Sequence, residues 1–96
     1  MSVNTSDARR FLIEERFHIT GSGTVVVIGE TTELPVGQAL RATIIRPDSS
    51  KRVTEAFKEL IPRREPRPLE KEAYLVRGIE KSEIPDGSFV EIEVIK

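Results

Sequence analysis

Ninety-six residues suit one domain with one modest core, and 38% apolar against 32% charged residues is ordinary for a small globular protein. A net charge of −1 gives no global attraction to nucleic acid or anionic membrane, so any such contact needs a local basic patch. The absence of cysteine excludes disulfides, thiolate metal sites and cysteine nucleophiles, and it fits a cytoplasmic protein.

Residues 1–7 are polar and are expected to form a frayed tail, with residues 8–96 as a single domain. The tail has no apolar run of signal-peptide length, and no later run approaches a membrane span. From Phe11 the odd positions Phe11, Ile13, Phe17 and Ile19 are apolar, broken by Glu15. Period two predicts a strand with that face inward and a bulge or twist at Glu15. Gly21-Ser22-Gly23 is a turn, and residues 24–28 are a β-branched run, hence a strand buried on nearly both sides. Residues 29–37 connect to a third strand at 39–46, and Pro47-Asp48-Ser49-Ser50 is a turn.

Residues 52–61 fit two elements. Val53, Phe57, Leu60 and Ile61 have near-helical spacing, which by pattern alone slightly favours a helix; Val53, Phe57 and Ile61 also suit a strand interrupted by Glu55 and Glu59. Residues 62–71 form a Pro- and Arg-rich loop. Strands follow at 73–79 and 89–95, the last alternating through Val90, Ile92 and Val94. Short strands separated by Gly/Pro turns predict an all-β fold, an antiparallel sandwich or barrel.

Three stretches in order carry a resemblance. They are Phe17-His18-Ile19-Thr20-Gly21-Ser22-Gly23-Thr24-Val25-Val26, then Val36-Gly37, then Arg77-Gly78-Ile79 running through Glu83-Ile84 to Gly87. Together they resemble the second domain of elongation factor Tu and related translational GTPases. The resemblance covers roughly residues 11–96 and implies a small closed antiparallel β-barrel of about six strands. It also argues for a strand over 52–57, where Glu55-Ala56-Phe57 is similar to a family strand. The chain departs from the family in having Ser22 where Arg is usual, one extra residue in the 25–29 run, and a longer 60–71 loop. No Gly-x-x-x-x-Gly-Lys-Ser/Thr occurs, so neither nucleotide binding nor GTP hydrolysis is expected.

Five glycines are read as structural turns: Gly21, Gly23, Gly37, Gly78 and Gly87. The Gly21–Gly23 turn admits an anion cradle, though a plain hairpin turn is the favoured reading. In the family, the strands matching Glu14, Glu15, Phe17 and Val27 contribute to a pocket for the aminoacyl end of transfer RNA. Val27 stands where the family often has Thr, so the favoured reading makes Phe17 core and Glu14 surface. Arg77 is read first as an intramolecular pair at a barrel corner and second as a contact to a partner. Arg63, Arg64 and Arg67, in a proline-stiffened loop, are the chain's own candidate binding surface, with Lys51 and Arg52 as possible neighbours.

His18 is the sole histidine and the acids are scattered, so no catalytic set, metal site or cofactor is expected. The expected function is a non-enzymatic binding module, foremost for a protein partner, with homo-oligomerisation open. Translation-related RNA binding is the alternative, and it would require salt-sensitive binding through the loop arginines.

Overall fold

The computed structural model describes residues 9–59 and 71–95. The expected tail at 1–7 and Arg63, Arg64 and Arg67 of the Pro/Arg-rich loop lie outside the described residues. Six strands follow one another: β1 (Arg9–Ile19), β2 (Gly23–Ile28), β3 (Leu40–Ile45), β4 (Lys51–Glu59), β5 (Glu72–Arg77) and β6 (Phe89–Val94). A single turn of 3₁₀ helix, Lys81–Glu83, precedes β6. The sheet closes in the order β1-β2-β5-β4-β3-β6, and all its ladders are antiparallel. The expected all-β barrel of six strands is therefore what forms. Each strand has two neighbours, so no edge is left open to pair with another chain.

The interior follows from alternation. Leu40, Ala42 and Ile44 of β3, Tyr74 and Val76 of β5, and Val90 and Ile92 of β6 fill the core with Val26 and Ile28 of β2. Thr24 is buried among them, and its hydroxyl donates to the Ile79 carbonyl at 2.7 Å, which removes the cost of burying it.

Strand β1 departs from the expected pattern. Its first half pairs with β6 and its second half with β2. Between Ile13, opposite Ile28, and Glu15, opposite Val27, the register shifts by one residue, leaving Glu14 as the extra residue of a bulge. One inserted residue exchanges the two faces of everything after it. Phe11 and Ile13 are buried at 2% and 8% exposure, whereas Phe17 and Ile19 lie outside at 50% and 42%. The reading of Phe17 as core is thus corrected. A bulge was foreseen near Glu15, but its effect on facing puts both residues on the barrel exterior.

The helical spacing over 52–61 is likewise overruled as far as Glu59; Leu60 and Ile61 lie outside the described residues. Lys51–Glu59 is a strand laid between β3 and β5, with Ala56 opposite both Leu40 and Val76 as its buried residue. Val53 and Phe57 fall on its outer face, Val53 at 59% exposure. Two neighbouring strands that each need a ladder decide this segment against its local periodicity.

A loop plugs each barrel end. At one end residues 29–39 place Leu34 against the core. At the other, residues 78–88 insert Ile79 and Ile84, both fully buried.

Candidate functional site

Groups with altered titration are the first place to look for chemistry; the pKa of Asp48 is lowered by its hydrogen bonds with Ser50 in an exposed turn, and the other two, Glu72 and Tyr74, lie together at the Leu34 end. Glu72 accepts from the Thr32 amide at 2.8 Å, the Thr32 hydroxyl at 2.9 Å and the Tyr74 hydroxyl at 2.7 Å. Lys58 Nζ lies 3.0 Å from its carboxylate and donates to the Leu34 carbonyl at 2.9 Å. Burial opposes the charged form of Glu72, but these donors outweigh it and hold its pKa below the ordinary value of 4.5. Tyr74 is pushed well above its ordinary value, first by burial, which outweighs the opposing hydrogen bond with Thr32, and further by the adjacent Glu72 carboxylate. Every one of these groups is committed to fastening the 29–39 loop. The arrangement builds structure and presents no free acid, base or nucleophile. Beside it a recess of about 610 Å³ is lined by Arg9, Thr32, Glu33, Leu34, Ile92 and Val94. Its cation, Arg9, is paired with Glu30 at 3.4 Å and lies over the Phe11 ring.

At the opposite end the polarity is reversed. Arg16 donates to the Ile84 carbonyl at 2.6 Å and to Asp86 at 2.7 Å, and Arg46 donates to the Glu83 carbonyl at 2.7 Å. Arg46 and Arg52 both reach the Glu83 carboxylate. The corner role expected of Arg77 is filled by these three arginines; Arg77 is exposed and makes no ion pair among the described residues.

The surface that remains unexplained is the outer wall. Cross-strand partners in a sheet point the same way. Phe17 of β1 stands opposite Val25 of β2, Val25 opposite Leu75 of β5, and Leu75 opposite Phe57 of β4. The bulge at Glu14 thus completes an outward apolar row across four strands, with Phe17 half exposed and the other three partly buried. Ile19 adds to it on the β1 side. Sequence reasoning missed Val25, Leu75 and Phe57. The Glu14-Glu15 break signalled only the changed facing of Phe17 and Ile19 in β1; nothing local marked the other three as sharing a wall with them.

The other singled-out residues are structural. Glu14 covers Gly29 so closely that a Cβ there would collide with its carboxylate, and it pairs with Lys71 at 3.1 Å. Gly21, Gly37, Gly78 and Gly87 all have positive φ in turns. Gly23 is required by close approach, since a Cβ would strike the Val76 carbonyl. The Gly78 amide donates to the Ser22 carbonyl at 3.0 Å, tying the first turn to the end of β5. Among the described residues, no group of three His, Asp or Glu side chains is placed to hold a metal, and no helix is long and apolar enough to cross a membrane.

No known protein family matches the chain, and no curated protein matches it.

Proposed function

We propose that this chain is a non-enzymatic protein-binding module, built on a barrel of the kind found as the second domain of elongation factor Tu. The outward Phe17–Val25–Leu75–Phe57 row is the single observation that carries the binding reading. A closed barrel has no strand edge to lend, so it engages a partner through side chains, and an apolar row on an outer wall is what such a partner would cover. Non-enzymatic character is supported by the use of Glu72, Tyr74 and Lys58 as structural fasteners. The family reading is supported by the six-stranded closure and by the way the two glycine motifs meet through the Gly78–Ser22 bond.

The test is a pull-down from lysate at low and moderate salt, with and without ribonuclease, using the natural chain beside Phe17→Asp. A discrete protein that survives ribonuclease and is lost with Phe17→Asp is the expected result. Transfer or ribosomal RNA that is retained by the natural chain and removed by ribonuclease would replace this reading with RNA binding.

A further inference from the structure

We propose that the recess at the Leu34 end binds a small organic cation, an ammonium group carried on an apolar body. The site is separate from the outer Phe17–Val25–Leu75–Phe57 row and goes beyond the docking reading.

The recess exists because the 29–39 loop is fastened firmly on one side only. Lys58 of β4, with Glu72 and Tyr74 of β5, holds Thr32 and the Leu34 carbonyl. In the closed order β1-β2-β5-β4-β3-β6, the β1–β6 junction lies across the barrel from β4 and β5. On that side the exposed Arg9–Glu30 pair reaches the loop at 3.4 Å, the one side-chain bond that does so among the described residues. The gap left between loop and strands is the recess of about 610 Å³, a volume in the range of small-molecule sites.

Its lining has an apolar and a polar part. Leu34 and Pro35 of the loop and Ile92 and Val94 of β6 form the apolar walls. Thr32 is already committed to Glu72 and Tyr74. Arg9 lies over the Phe11 ring and faces Glu30, so its charge is matched. Glu33 is exposed, lines the recess and makes no ion pair among the described residues.

Charge selects the ligand. With Arg9 matched by Glu30, Glu33 is a surplus negative charge on the rim. The neighbouring pairs Arg10–Glu91, Arg41–Glu93 and Lys58–Glu72 are one-to-one and leave it so. Asp7 and Lys96, next in sequence to the described ends of the chain, bring one charge of each sign. Residues 60–70 bring Arg63, Arg64 and Arg67 against Glu65 and Glu70. The adjoining Glu59 is unpaired among the described residues, and Lys71 faces two acids, Glu14 and Glu15, which offsets that surplus cation. An ammonium beside Glu33 is attracted and a carboxylate there is repelled. The apolar body then rests on Leu34, Ile92 and Val94 while the charged head stays at the wet rim.

The probes are hexylammonium and hexanoate, which share an apolar body and differ in the sign of the head. They are titrated at pH 7 to about 20 mM, and the amide NMR spectrum of the intact chain is followed. Hexylammonium is expected to shift residues 31–34 and 92–94 with a dissociation constant of about 1 mM, and hexanoate to leave them in place. Glu33→Gln is expected to weaken hexylammonium about threefold, the scale of an exposed ion pair. Glu33→Lys is expected to lose hexylammonium and to admit hexanoate, an exchange of preference that a folding defect cannot produce. Phe17→Asp is expected to leave hexylammonium binding unchanged, so this site and the docking row fail separately. Shifts by neither probe, shifts confined to other residues, hexanoate bound as tightly as hexylammonium, an unchanged preference in Glu33→Lys, or loss of hexylammonium with Phe17→Asp would each overturn the site.

Discussion

The two ends of this barrel solve one problem with opposite polarity. At the Leu34 end a carboxylate, Glu72, gathers the N–H and O–H groups of the 29–39 loop. At the Ile84 end guanidinium groups of Arg16 and Arg46 gather the carbonyls of the 78–88 loop. Both loops bring polar backbone to the mouth of a dry core, and both leave no buried side-chain polar atom unpartnered among the described residues. The difference lies in burial and in titration. The Glu72–Lys58 pair has side-chain exposures of 10% and 13%, whereas Arg52 at the other end is 46% exposed. A carboxylate loses its charge in acid and a guanidinium does not lose its own. The two ends should therefore differ both in energetic weight and in pH response.

The largest effect is expected at the buried end. Glu72→Gln leaves Lys58 enclosed without its counter-charge and should cost about 3 kcal/mol, measured by urea unfolding at pH 7. Lys58→Met should cost a similar amount by stranding Glu72. The double variant should lose less than the sum, since the two charges are removed together. Additive losses would show that the pair is not coupled and would break the comparison.

Acid should open the ends in a fixed order. The folded-state pKa of Glu72 lies below its ordinary value of 4.5. Its contribution is thus fully present above the unfolded pKa and is lost as pH falls through the folded one. Amide exchange measured below pH 4.5 should show residues 29–39 losing protection before residues 78–88. The reverse order would mean that the carboxylate is not what holds the first loop.

Smaller effects are expected at the arginine end. Arg16→Ala removes a charge-assisted bond to the Ile84 carbonyl and should cost about 1–2 kcal/mol, with exchange rising first in residues 78–88. Arg52→Ala breaks an exposed pair with Glu83 and should cost at most about 0.5 kcal/mol, vanishing in high salt. An effect of Arg52→Ala as large as that of Glu72→Gln would erase the distinction between the ends.

Much of the fold was legible because alternation is a local property. The runs at 24–28, 39–46, 73–79 and 89–95 place β2, β3, β5 and β6 to within two residues at each end. Local pattern fails where an element's surroundings decide. Over 52–59 the apolar residues Val53 and Phe57 lie on the exterior of the barrel, and only the neighbouring ladders of β3 and β5 reveal that Ala56 is the buried residue. In β1, Glu14 and Glu15 announced an irregularity, but which of them is the extra residue depends on the register with β2. The outer apolar row was illegible for the same reason: Phe17, Val25, Leu75 and Phe57 are up to 58 positions apart and share a wall only after closure. Arg16 was passed over because, outside the fold, it is one arginine among many.

The sequence by itself determined that the chain is all-β, where most strands lie and which glycines turn. These follow from β-branched alternation and backbone sterics, and both act within a few residues. The tertiary structure decided which face of β1 after Glu14 meets water, which charges lock the two ends, and that four distant apolar residues form one row. Those outcomes depend on strand register, and register is fixed only when every strand has found both of its neighbours.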